Sequence, residues 1–366
     1  MTTKKSIPVG SRPVNLKVLA EYLGLSPATI SLVMNNAPGV AAISAATRNR
    51  VLEAAKRLDY TPNPIARSLR MRQSFTVGVI VPEFSEGYFT MLMNGIEERL
   101  LQSGYLHFVV SHQCKPDLIE QYPRLLAKRS VEGYILVNSS LNEELRVPVV
   151  TISGHKQIKG NTNIVVDHDL AAMLALKHLY DLGHRRIAFM KGPKYALDSD
   201  ARWDGIMSMA RRIGLTIYPE LCIYLEANLW SPELGYPIMR DLLLRTRDFT
   251  AIFCFNDHAA IGAIRAIADC GLRCPDDISV IGFDDIPSAA YQTPRLTTVR
   301  QPLRRMAETA VQTLLRRIES PDSEYPESIL FEPELMARES TAPTHSTQKK
   351  RNPGDMPGTR SKGTRK

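Results

Sequence analysis

Residues 15–36, NLKVLAEYLGLSPATISLVMNN, decide how the N-terminal part of the chain folds. Leu16, Leu19, Ala20 and Leu23 recur at helical spacing, so a first helix over 15–23 has one apolar face. Gly24 follows, where a helix end favours a left-handed residue. Ser26-Pro27 then offers an N-cap and a φ already set for a first helical turn. The second helix, over 27–35, places Ile30, Val33 and Met34 on one side. Two short helices across a tight, glycine-containing turn make a helix-turn-helix. Further on, the spacing predicts a third helix over 44–58. Val51, Leu52, Ala55 and Leu58 form its apolar stripe, and Arg48, Arg50, Lys56 and Arg57 lie off it.

The charge supports a nucleic-acid role for this head. The 366 residues carry a net charge of +8, but it is unevenly spread. Residues 1–74 hold +8, residues 75–339 hold −6 and residues 340–366 hold +6. A basic head on an acidic body fits DNA at one end and a different task elsewhere. The rest of the composition is that of a globular protein. Apolar runs such as Tyr134–Val137 are too short to span a bilayer, so no membrane partner is expected. The opening MTTKKSIPVG lacks an apolar segment, so no secretory leader is expected either. Five cysteines, an odd number, fit a reducing cytoplasm better than a disulfide framework.

The first 22-residue stretch, followed by TRNRVLEAAKRLDYTPNPIARSLR at 47–70, resembles the DNA-binding head of the lactose-repressor (LacI/GalR) family. That resemblance implies a homodimer on a pseudo-palindromic operator. It implies that Pro27, Ala28 and Leu32 face base edges, where familiar members carry polar residues. Apolar side chains can reach only apolar groups there, such as a thymine methyl. Asn15, Ser26, Thr29, Ser31 and Asn35 complete the implied DNA-contacting set of the head. Residues 61–75 correspond to the hinge helix, with Asn63, Ala66, Arg67, Leu69 and Arg70 in the family register. By the resemblance, Leu69 wedges between base pairs in the minor groove, while Arg67 and Arg70 lie near phosphates.

From Thr76 onward, apolar strands alternate with helices, which predicts parallel α/β sheets covered on both faces. The segment is too long for one compact sheet and suits two lobes. TVGVIVP (76–82), KHLYDLGHRRIAFMKGP (177–193), the run 251–289 and PRLTTVRQP (294–302) resemble the effector core of the same family. The expected fold is thus an N-terminal all-α helix-turn-helix head with a hinge helix, then an α/β two-lobed core. That core is periplasmic-binding-protein-like, with two doubly wound parallel sheets. Its expected parts are a basic arm (1–13), the head (14–60), the hinge (61–75), the core (76–340) and a disordered basic tail (341–366). Lobe 1 would hold 76–166 and 301–328, and lobe 2 would hold 167–300 and 329–340.

Ligands in such folds bind at the carboxyl ends of strands. The resemblance puts an effector, a sugar or sugar derivative, between the lobes. It implies Arg202 as the gripping cation, Trp230 as a stacking ring, and Asn256, Asp284 and Gln301 as hydroxyl partners. Tyr88 and Phe89 follow the first strand and are expected on the first lobe's side of the cleft. Ser153 stands where sugar-responsive members often carry Asp, which weakens the case for a simple galactoside. No cofactor or metal is implied. No nucleotide-binding glycine fingerprint, P-loop or nucleophile elbow occurs, so an enzyme on a doubly wound sheet is disfavoured. A transport protein of the same body fold would have no use for the attached head. Cys270 and Cys274 lack a second pair at zinc spacing, and His178 and His184 read as structural. Whether the effector induces or corepresses stays open.

Overall fold

The computed structural model describes residues 14–61, 68, 73–84, 87–140, 145–154, 160–193, 196–225 and 231–344. The chain divides between Ser74 and Phe75 into two compact units. In the first, helices α1 (Leu16–Leu23), α2 (Pro27–Met34) and α3 (Ala45–Arg57) enclose a small core of Leu19, Ile30 and Val51. Each helix begins at a side-chain cap. Asn15, Ser26 and Ser44 accept from the backbone N–H of Val18, Thr29 and Thr47. Gly24, at φ 65°, ends α1, and the axis turns by 109° into α2. Leu52, expected in the apolar stripe of α3, is half exposed, and Ala54 takes its place inside.

The second unit holds two six-stranded sheets. The first sheet gathers β1 (Thr76–Val81), β2 (Leu106–Ser111), β3 (Tyr134–Val137), β4 (Val149–Ile152), β5 (Thr162–Val166) and β11 (Ser328–Phe331). Its strand order is β11-β5-β4-β3-β1-β2, and every pairing is parallel. The second sheet gathers β6 (Ile187–Lys191), β7 (Cys222–Tyr224), β8 (Ala251–Cys254), β9 (Ser279–Asp284), β10 (Thr297–Arg300) and β12 (Glu334–Met336). Its order is β12-β10-β9-β8-β6-β7. β12 runs antiparallel to β10, so this sheet departs from the all-parallel expectation at one edge.

Helices α4 (Tyr88–Gln102), α5 (Pro116–Ala127) and α10 (Leu303–Glu319) belong to the first sheet. Helices α6 (His168–Asp181), α7 (Ser199–Arg212), α8 (Tyr236–Arg245) and α9 (Asp257–Asp269) belong to the second. The chain changes lobe three times: after β5, after β10 and between β11 and β12. Lobe 1 therefore extends to Phe331, because Ile329, Leu330 and Phe331 pair with β5; the expected switch after 328 falls three residues early. The expected tail boundary also moves. Thr341–Thr344 bind the second lobe through His178, Ser279, Thr297, His184 and Leu182.

Candidate functional site

In the head, α2 turns its first residues to solvent. Pro27 and Ala28 are exposed on its first turn, and Leu32 lies one turn further along. The polar side chains of α2 are bonded locally. Ser26 Oγ accepts from Thr29 N at 3.0 Å and pairs with Thr29 Oγ1 at 2.9 Å. Asn35 Nδ2 donates to the carbonyl of buried Ser31 at 2.8 Å. Arg50 donates to the Leu23 carbonyl, so its guanidinium helps close the end of α1. The hinge residues Asn63, Ala66, Arg67, Leu69 and Arg70, the arm 1–13 and Trp230 lie outside the described residues.

In the core, the named residues collect at the carboxyl ends of strands. Ser153 follows β4, Asn256 follows β8, Asp284 ends β9 and Gln301 follows β10. Arg202 enters from α7 and Tyr88 from the first turn of α4. Tyr88 Oη and Ser153 Oγ are 3.0 Å apart, both buried. Phe89 turns into the apolar core of lobe 1 and stacks edge-on against Tyr88, so only Tyr88 brings a polar atom to the cleft side.

Arg202 is held from three directions. Its guanidinium donates to Asp198 and to the Phe255 carbonyl, and it lies 3.7 Å from the centre of the Phe283 ring. Asn256 caps α9, accepting from Ala259 N at 2.9 Å. Gln301 donates from Nε2 to Asp284 Oδ1 at 2.7 Å. Among the buried polar atoms without a partner are Arg202 Nε and Gln301 Oε1. Such atoms are uncommon and mark places where a further partner fits.

Both lobes contribute to one electrostatic environment. Burial raises the Tyr88 phenol, and the carboxylates of Asp198 and Asp284 on the other lobe add to the rise. Burial also pushes Asp284 up to about 7, against the opposing pull of Arg202 and the Gln301 hydrogen bond. The lobes touch at one rim. A Cβ added to Gly87, before α4, would stand 2.7 Å from Ile286 Cγ2 and 3.3 Å from His258 Nε2. At φ 89° that position already favours glycine.

Comparison with known proteins decides the family. Residues 15–63 match the bacterial regulatory proteins of the lacI family, and residues 176–341 match a periplasmic binding protein-like domain. The HTH-type transcriptional repressor PurR of Haemophilus influenzae is 32% identical over 336 residues, covering 89% of this chain and 98% of its own. The PurR of Histophilus somni (strain 129Pt) is 33% identical with the same coverage, 89% and 98%. A Lac repressor dimer bound to operator superposes with a TM-score of 0.81 at 28% identity, covering 90% of this chain and all of the other. The chain belongs to the LacI family.

As a LacI-family member it is a DNA-binding transcriptional repressor and not an enzyme. The adjacent acids fit that conclusion, since they turn to different partners. Asp284 takes Gln301, while Asp285 takes Arg300 Nε at 2.7 Å and Arg338 Nη2 at 2.6 Å.

Several residues around the LacI-family cleft escaped the sequence reading. Asp257 is fully buried and accepts from Thr298 Oγ1 and Ile286 N, tying α9 to β10 and to the loop after Asp284. Gly282 leaves room for it, because a Cβ there would sit 2.1 Å from Asp257 Oδ1. Asn138, after β3 and at φ 46°, buries an unmatched Oδ1. A polar residue directly after a predicted strand was the available signal for Asn138. His178 and His184 are structural. His184 pairs with Thr250 Oγ1 through Nδ1 and with the Ala342 carbonyl through Nε2. The five cysteines are free thiols, and no cluster of metal-binding side chains occurs among the described residues.

Proposed function

We propose that this repressor acts as a homodimer on a pseudo-palindromic operator and that an uncharged polar effector, a sugar or sugar derivative, controls it from the cleft. The effector reading is carried by the pairing of unmatched atoms. Arg202 Nε is a donor and Gln301 Oε1 an acceptor, both buried; Gln301 bonds Asp284, and the charge of Arg202 acts on the same carboxyl. Hydroxyls both donate and accept, so a polyol offers partners of both kinds. Asp198 already neutralises Arg202, which argues against a phosphorylated ligand. Structural relatives support the class. CelR was solved with cellobiose (28% identity, TM-score 0.66) and an Enterococcus faecium regulator with ribose (30%, 0.65). By the same reading Tyr88, Ser153, Asn256 and Trp230 complete the contacts, and Phe89 supports them from behind.

The head and hinge residues named above contact DNA in this reading, with Leu69 as the wedge. The sheet edges suit a second copy of the chain. β2 and β7 end their sheets; β2 exposes Leu106 and Phe108, and β7 exposes Tyr224, which shares a surface hollow with the exposed Leu244 of α8. Edge strands with exposed apolar residues need a cover, and a two-fold pairing supplies one. A closed and an open cleft would hold the two heads at different spacings, which couples ligand to operator.

A thermal-shift screen of sugars, nucleobases and phosphorylated metabolites tests the effector class. A ligand at about 100 times its Kd should stabilise the chain by about 2.7 kcal/mol. A shift produced only by phosphorylated compounds would overturn the uncharged-ligand reading. Sedimentation as a monomer at micromolar concentration would overturn the dimer.

A further inference from the structure

We infer that the head selects its operator chiefly by apolar contact with thymine methyl groups, made by Pro27, Ala28 and Leu32. This rests on the operator-binding reading above and narrows it. A recognition helix meets base edges with its N-terminal residues. The sequence of α2, PATISLVM, contains no Arg, Lys, Asn or Gln, the side chains that bond bases in bidentate fashion. Its polar groups are already engaged within the helix. Ser26 and Thr29 bond one another at 2.9 Å, and Ser31 is buried beneath Asn35, which donates to its carbonyl.

The side chains that face outward without an internal hydrogen bond are therefore apolar, and Ser26, Thr29 and Asn35, each bonded within the head, are left to position the helix on phosphates. Pro27 and Ala28 are exposed, and Leu32 is partly exposed one turn beyond Ala28. Val33 and Ile30 face the other way, into the core of the head. In the major groove the thymine C5-methyl is the apolar feature that separates one base from the others. Seating it against Ala28 and Leu32 removes both surfaces from water. Hydrogen-bonding edges placed there would be desolvated without a partner, which selects against the three bases that lack the methyl at those positions.

The test uses the full-length chain to enrich duplexes from a random pool. Each thymine of the enriched site is then replaced by deoxyuridine, which exchanges one methyl for hydrogen and leaves base pairing intact. Affinity should fall about fourfold at each contacted thymine, the value of one buried methyl-sized group. The slope of affinity against salt should stay the same, because phosphate contacts are untouched. Leu32→Ala should bind the thymine and deoxyuridine duplexes equally at its own position. An enriched site indifferent to deoxyuridine at every position would overturn the inference while leaving the repressor reading intact. Enrichment of no sequence would overturn both.

Discussion

Gln301 donates to Asp284 at 2.7 Å, while their chain neighbours Arg300 and Asp285 bond one another at the same distance, 2.7 Å. Two consecutive acids at the end of β9 thus grip two consecutive residues at the end of β10. β10 is the strand from which the chain leaves lobe 2 for lobe 1. One bond of the pair lies in the cleft, and the other fixes the crossover. A ligand that engages Gln301 or Asp284 therefore acts directly beside a segment joining the lobes.

Asp284→Ala should weaken effector binding about 10- to 100-fold, the range for losing a hydrogen bond to a charged group. It should leave operator affinity in the absence of effector within about twofold, since independent sites contribute separately. Calorimetric titration of the effector found by screening, together with operator titration by fluorescence anisotropy, checks both. A normal effector affinity would remove Asp284 from the ligand contacts.

The same residue should leave a signature in stability against pH. In the folded chain Asp284 titrates near pH 7, far above the ordinary carboxylate range. Between about pH 4 and 7 the folded state then holds a proton that the unfolded state has lost, so this group's stabilising contribution falls as pH rises. His184 and His112 act in the opposite sense. Burial brings both down to about 4, so the unfolded state gains their protons first and stability falls as pH drops below about 6.5. Asp284→Asn keeps an acceptor for Gln301 and tolerates the positive φ. The variant should melt above the native chain at pH 8, and the difference should shrink by pH 5.5. A gap in melting temperature that does not change with pH would contradict the raised pKa.

Asp285→Ala should destabilise the core by about 2–3 kcal/mol, because it strips Arg300 and the largely buried Arg338 of their shared carboxylate. The side chain of Asp285 is 7% exposed and that of Arg338 is 14% exposed. Chemical denaturation of the core's transition measures the loss. A change below about 0.5 kcal/mol would show that the clip contributes no more than a surface pair.

This clip also shows where reading the sequence stops. The helix-turn-helix was legible because Asn15, Gly24, Ser26 and Pro27 are local signals, each acting within four residues of the bond it makes. Strands β3, β4 and β8 were legible because they are buried on both faces and read as apolar runs. Strand β5, TNIVV, alternates burial and opens with Thr and Asn, so it resembles a loop until β4 and β11 flank it. Asp257, Asp285 and Arg338 find their partners 15 to 53 residues away, and no spacing rule links them. Asn256 and Asp284 stand at strand ends, where the apolar runs before them put them. What each one bonds to within the protein depended on crossovers that only the fold reveals.

The C-terminal segment gives the last prediction. Its +6 charge lies past Ser340, and its first four residues are pinned to lobe 2. Thr341 Oγ1 lies 2.9 Å from His178 Nε2 and 3.0 Å from Thr297 Oγ1. Ala342 accepts from His184 and donates from its N–H to Ser279 Oγ at 3.0 Å, and Thr344 N donates to the Leu182 carbonyl at 3.0 Å. A chain ending at Thr344 keeps all of these bonds and loses residues 345–366, which carry the whole of the +6. One ending at Ser340 strands the buried ring of His184 without its carbonyl partner, at a cost of about 1–3 kcal/mol. The shorter chain should therefore melt several degrees lower, whereas the chain ending at Thr344 should melt with the native protein. The longer truncation also isolates the charge. If the basic residues attract DNA, non-specific binding should weaken and its salt slope should flatten, with the preference for operator increased. An unchanged salt slope would assign DNA attraction to the head alone, and equal melting of the two truncations would show that the contacts of Thr341–Thr344 do not stabilise lobe 2.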